Sequence, residues 1–244
     1  MRAREFITEI TRRDLLKIGA GGLLGAAVGQ GLSHLTDLDK APLDTLQQPA
    51  SSPKEGTAEK MVRLPNPLEN SLKDYAVDQG IIGKELAQFL AQCSHETGNF
   101  KDLTEKGTPE YFRRKYDITG KHPLRAIKYG NIHRGDGIKF KGRGFIHLTW
   151  RGHYEDAEKY LGINLTSNEN YLKAAEPKLA EKIAVWYWKK FVRRPGVDVT
   201  NTKQVTDKIN KNEPQKDTQD RLTRYIHYLD ALNLGNYEKD IADI

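Results

Sequence analysis

Between Lys84 and Thr97 the apolar side chains fall at Leu86, Phe89, Leu90 and Cys93, the spacing of one face of a helix. Gly98 follows as a stop, because helices commonly end on a left-handed residue and glycine adopts that conformation without strain. The same period runs through 68–97 as a whole and returns at 109–116, 151–161, 168–191 and 217–233. The chain is therefore read as mainly α-helical, with few or no strands. In the segment from Glu176 to Phe191, Trp186 is read as core, and the basic turn from Lys189 to Pro195 as a solvated face turned towards anionic material. Phe145 to Thr149 instead alternates with period two, which fits a short extended piece lining a cleft.

The pattern changes before residue 68. Arg12 and Arg13, with Leu15, Leu16 and Lys17, precede a weakly apolar, glycine-rich run from Ile18 to Leu32. This is the arrangement of a twin-arginine export signal, and the run is too short and glycine-rich for a membrane span. Export to the periplasm or the cell exterior is expected. Ala41 before Pro42 is a poor cleavage site, so an uncleaved signal would touch the membrane through residues 15–32. The alternative is an N-terminal helix that docks the protein on a larger assembly, such as a virion. Thr36 to Pro67 is rich in Asp, Pro, Ser, Gln and Lys, which is linker chemistry. Three parts result: a signal or anchor at 1–35, a linker at 36–67 and a folded domain at 68–244.

Composition narrows the chemistry. At 244 residues, with 37% hydrophobic and 30% charged side chains, the chain can bury a full-sized core. Its 39 Lys and Arg against 33 Asp and Glu leave a net charge of +6, which favours anionic partners. Charge alone does not separate nucleic acid from a carboxylate-rich bacterial wall. The single cysteine, Cys93, excludes an internal disulfide framework and a thiolate metal cluster built from this chain. The histidines, among them His95, His133, His147 and His153, lack the His-Glu-x-x-His spacing or another compact ligand arrangement. No metal and no cofactor are expected. Gly142 and Gly144 allow close backbone approach, but the segment is neither a phosphate loop nor a dinucleotide fingerprint, since the following Lys-Ser/Thr pair and the wider glycine spacing are missing.

Continuing the face of Phe89 and Cys93 puts Glu96 on the core side of its helix, in the last turn. Apolar surroundings and the negative end of the helix dipole both favour a carboxyl that keeps its proton. Such a group suits general-acid catalysis, in which a proton is handed to a leaving sugar oxygen. On spacing alone the plainer reading has the stronger claim: a last-turn glutamate that curls out to solvent or pairs with a Lys or Arg.

His95-Glu96-Thr97-Gly98, behind an Ala- and Leu-rich helix, resembles the His-Glu-Thr segment of glycoside hydrolase family 19, the plant-type chitinases with related phage and bacterial endolysins. Gly135-Asp136-Gly137 followed by Phe140 to Trp150, with Tyr154 beyond, resembles the family's Gly-Arg-Gly-x-Ile-Gln-Leu-Thr/Ser segment. Val205 to Asn210, with Arg221 and Tyr225 downstream, is similar to its Ile-Asn-Gly segment and following arginine. Together the matches cover residues 68 to 232.

The resemblance implies a bilobed, lysozyme-like helical domain with a central substrate cleft. It also implies endo-acting, inverting hydrolysis of β-1,4 bonds in an N-acetylated amino-sugar polymer, with Glu96 as general acid. Glu105, nine residues on in the polar loop Lys101 to Thr108, is the candidate base, and Glu110 is its rival. Thr149 is implied to hold the attacking water, and Asn210 to position water and sugar. His95, His147, Trp150 and Arg221 are candidate substrate contacts. Arg143 joins them, with a structural salt bridge as the equal alternative. His147 and His153 stand where the family has glutamine and asparagine, and Lys211 and Asn212 replace its glycines. The export pattern, compact loops and basic surface favour peptidoglycan over chitin. The expected partners are thus wall polysaccharide and anionic wall polymers rather than nucleic acid, bound by a monomer. A non-catalytic wall-binding or virion structural protein is the third reading.

Overall fold

Capping residues explain where several helices begin. The computed structural model describes residues 57–235 except Asn212, all within the unit Ala50–Ile244. The export pattern at 12–32, the linker before Thr57 and the chain after Gly235 lie outside the described residues. Ten α-helices are described: α1 (Thr57–Met61), α2 (Pro67–Asp78), α3 (Gly83–Glu96), α4 (Pro109–Tyr116), α5 (Pro123–Lys128), α6 (Asp136–Lys139), α7 (Arg151–Leu161), α8 (Pro177–Tyr187), α9 (Thr202–Ile209) and α10 (Gln215–Ala231). Asn66 accepts the Leu68 N–H at 2.9 Å and is followed by Pro67 at the first helical position. Thr108 and Pro109 open α4 the same way, with the Tyr111 N–H donating to the Thr108 hydroxyl at 3.1 Å. Asn201 caps α9. None of the described helices is long and apolar enough to cross a membrane.

The expected helices at 109–116 and 151–161 form with those bounds. The period over 68–97 is divided instead into α2 and α3, because the chain turns at Gly80 with φ 75°. The segment 168–191 is divided by Pro177: the residue before a proline is disfavoured in the helix, and Glu176 is extended (φ −69°, ψ 126°). A 3₁₀ turn at Asn170–Ala175 precedes that break, and a π turn at Trp188–Val192 continues α8. Phe145 to His147 lie in a turn rather than an extended piece, and only Leu148 is bridged. Two isolated bridges, Thr104 to Arg143 and Arg143 to Leu148, are the nearest approach to a sheet among the described residues. The expected linker is corrected at its end. Thr57–Met61 is helical, Leu64 is buried, and the buried Lys73 ammonium donates to the Glu59 carbonyl at 2.8 Å, so the fold extends back to α1.

Two apolar clusters make two lobes. The large one unites α2, α3, α8 and α10 with Phe140 and Phe145 of the glycine-rich segment, and α10 lies along α3 as the most extensive helix pairing. Trp186 is buried in it, as read from the sequence, and Phe89 meets Trp188 edge-on at 5.3 Å. The small cluster is Phe112, Tyr116, Ala126 and Trp150. A cleft lies between them, giving a mainly α, bilobed arrangement with a central cleft.

Candidate active site

Glu96 is the last residue of α3, and the turn after it is unusual. Gly98, Asn99 and Phe100 all have left-handed backbones, with φ of 56°, 64° and 60°. For asparagine that is tolerable; for phenylalanine it is strained. Burial of the Phe100 ring, 6.0 Å from that of Phe145, and the Phe100 N–H donating to the Thr97 hydroxyl at 3.0 Å hold it there. This turn sends the chain directly into the loop that carries Glu105.

Three donors converge on the Glu105 carboxylate: the Gly142 N–H at 3.0 Å, the Tyr116 hydroxyl at 2.9 Å and the Lys115 ammonium at 3.2 Å. The Glu105 N–H donates back to the Gly142 carbonyl at 2.8 Å. Residue 142 has to be glycine, since a Cβ there would stand 3.2 Å from Glu105 Oε2 and 2.9 Å from His147 Cβ. Burial works against the Lys115 cation, yet its contacts with Tyr111 and Tyr116 outweigh that and raise its pKa.

Glu96 is not set among apolar groups as its helical position suggested. Its Oε1 accepts from Arg221 at 2.6 Å, and that guanidinium also binds Glu213 at 2.8 Å and Gln92 at 2.6 Å. On its other side His147 Nδ1 lies 3.9 Å from Glu96 Oε2. His147 Nε2 is 3.0 Å from the Asp102 carbonyl, which can only accept, so Nε2 carries a proton and donates it there.

Glu96, Glu105 and Thr149 line one cavity of about 410 Å³ together with His147, Trp150 and Asn210. The Thr149 hydroxyl donates to the His147 carbonyl at 2.7 Å, which leaves its oxygen to accept a hydrogen bond in the cleft. His153 Nδ1 lies 2.8 Å from the Thr149 carbonyl, and burial, outweighing that contact, lowers its pKa below the usual histidine range.

Other sequence expectations are corrected. Arg143 is buried outside the cleft lining, donates to the Lys139 and Lys141 carbonyls and to the Tyr154 hydroxyl, and takes the structural role, though with carbonyls instead of a carboxylate. His95 does not line the cleft either; its nitrogens lie 2.7 Å from Asp220 and 3.3 Å from Glu213. Burial opposes ionisation of Asp220, but hydrogen bonds from Arg224 and His95 outweigh it and hold the carboxyl below its ordinary pKa. Arg221 is fully buried and reaches Glu96 rather than the open cleft. Glu110 is exposed on α4, 3.5 Å from Arg113, and away from the cleft. Two of the four cations in the basic turn after α8 are paired: Arg193 forms a bidentate pair with Glu85 at 2.7 Å, and Lys190 meets Asp156 at 3.0 Å.

Tyr116, Lys115, Tyr187 and Glu213 were not assigned to the site from the sequence. Glu213 had a signal, since a buried arginine at 221 needs an anion and Glu213 stands eight residues before it.

The glycoside hydrolase family 19 signature, described as chitinase class I, matches residues 71–215. A glycosyl hydrolase family 19 domain-containing protein of Haemophilus influenzae is 31% identical over 156 residues, which is 54% of this chain and 73% of that protein. An endochitinase of Arabidopsis thaliana is 28% identical over 166 residues, 66% of this chain and 53% of the plant protein, so the chain spans about half of that relative. Crystalline chitinase C from Streptomyces griseus is 27% identical, with a TM-score of 0.46 over 62% of this chain and 60% of that one.

Proposed function

The chain belongs to glycoside hydrolase family 19 and is a chitinase-type glycoside hydrolase, and from that premise we propose that it cleaves β-1,4 bonds of peptidoglycan internally and with inversion. The observation that carries the reading is the pair of carboxylates in one cleft, each with its own partners: Glu96 on a buried guanidinium, Glu105 under three donors. As the general acid, Glu96 gives a proton to the leaving glycosidic oxygen as the C–O bond breaks. Glu105 takes a proton from the water that bonds to the anomeric carbon, and the Thr149 oxygen accepts that water's second hydrogen. Asn210, at the end of α9, orients the sugar. Solvent returns a proton to Glu96 and removes the one on Glu105.

Arg125 supports peptidoglycan as the polymer. It lines the cleft and stacks over Trp150 at 5.5 Å, without an ion-pair partner among the described residues. A neutral chitin chain gives it nothing to pair with, whereas the stem-peptide carboxylates of peptidoglycan do. Chitin is the second reading, favoured by the names of the endochitinase and chitinase relatives. The export signal and wall-side location are part of the proposal.

The test is reducing-sugar release from purified peptidoglycan and, in parallel, from colloidal chitin, by the wild type, Glu96→Gln and Arg125→Ala. The expected result is peptidoglycan turnover that falls about 10²–10⁴-fold in Glu96→Gln with an unchanged unfolding temperature, and a larger loss on peptidoglycan than on chitin for Arg125→Ala. Turnover of chitin alone selects the second reading. A folded wild type inert on both polymers selects the wall-binding one.

A further inference from the structure

We propose that the outward side of α5 and the loop after it form a docking surface for an anionic lipid bilayer, beside the cleft but separate from it. The described residues contain six exposed large hydrophobic side chains, and three of them, Leu124, Ile127 and Ile132, fall within nine residues. Scattered singly, exposed aliphatics are ordinary; two on one short helix, Leu124 and Ile127, with Ile132 in the loop after it, mark a surface with a partner.

Helix geometry shows which way they face. Ala126 is fully buried and fixes the inward side of α5. Steps of 100° per residue then turn Leu124 and Lys128 outward and put Arg125 and Ile127 on opposite flanks. Arg125 is the flank that meets Trp150 and the cleft, so Ile127 borders the side away from it.

Charge selects the occupant. From residue 118 to 135 there is no Asp or Glu, while Lys121, Arg125, Lys128 and Arg134 supply four cations. Over residues 106–135 there are eight Lys and Arg against two acids, and the other 214 residues carry 31 of each. The whole net charge of +6 therefore resides in this stretch of the chain. Lys121, Lys128 and Arg134 have no ion-pair partner among the described residues, in contrast to Lys190 and Arg193 of the other basic turn. A polyanionic polymer would engage the cations and leave the aliphatics in water. A second copy of the chain would cover the aliphatics but oppose like charges. An anionic bilayer satisfies both, taking the aliphatics into the headgroup and acyl boundary and the cations to lipid phosphates. This inference is independent of which polymer the cleft cleaves.

The experiment is vesicle flotation of the full chain with phosphatidylcholine alone and with phosphatidylcholine mixed with phosphatidylglycerol. Two variants are compared with the wild type, one Leu124→Ser with Ile127→Ser, the other Lys121→Gln, Lys128→Gln and Arg134→Gln. Circular dichroism and unfolding temperature check that each variant is folded. Binding to the anionic vesicles alone is expected, weakened about 100-fold in the charge variant, since each cation near such a surface contributes roughly fivefold, and about tenfold or more in the aliphatic variant. Equal binding by all three proteins would overturn the proposal, because another segment would then carry the affinity. So would loss in the charge variant only, which is the behaviour of a polyanion site. A wild-type dimer that the aliphatic variant dissolves, without lipid affinity, would reassign the surface to a contact between copies.

Discussion

Arg221 is the residue on which the surroundings of Glu96 depend. It is buried, carries an obligatory charge and joins Glu96 to Glu213 at 2.6 and 2.8 Å. Replacement by methionine keeps much of the volume and strands two largely buried carboxylates. Arg221→Met is expected to lower unfolding free energy by about 3 kcal/mol, measured by urea denaturation, and to lower turnover. His153 gives a pH signature. Its folded pKa lies below its unfolded value, so its contribution to stability is fully present above the ordinary histidine pKa of about 6.5 and is lost as pH falls through the folded value. Urea midpoints measured across that window should fall with acidification in the wild type and fall less steeply in His153→Asn. At this scale the carboxylate Glu96 was legible, because helical period and a short resemblance met at one residue. Its partners were not. Arg221 and Glu213 lie more than a hundred residues away, and periodicity carries no information about which distant charges meet.

The elements were read best where local chemistry alone decides. α4 formed with the bounds its period predicted, and Thr108 and Pro109 fix its start locally, as Asn66 and Pro67 fix that of α2. α5 and α6 escaped notice because six and four residues are too few to show a helical period. The end of α3 was also legible through Gly98, although the left-handed Asn99 and Phe100 after it were not. Gly98 has nothing within 4 Å of an added Cβ, so substitution there changes conformation without crowding. Gly98→Ala is expected to lower stability by about 1 kcal/mol and to reduce turnover further than that loss explains, since the turn links the helix of Glu96 to the loop of Glu105. Thermal unfolding and steady-state hydrolysis of the same preparation separate the two effects.

At the scale of the whole molecule, two lobes of unequal size enclose the cleft, and both contribute to its lining: Glu96 and Ile146 from the larger, Tyr116 and Trp150 from the smaller. Helical content and the bilobed plan followed from pattern and resemblance together. The uneven placement of charge did not, since a net +6 says nothing of where it resides. The pairing of α3 with α10 has a consequence in time. Synthesis proceeds from the N-terminus at about 5–20 residues per second, and α10 leaves the ribosome after every other element that builds the site. Both carboxylates of the cleft are therefore in place on the growing chain for several seconds before Arg221 exists to hold Glu96. Hydrolysis that depends on the Arg221 contact is silent until α10 has emerged, and any cleavage between α9 and α10 that released the helix would return it to that silence.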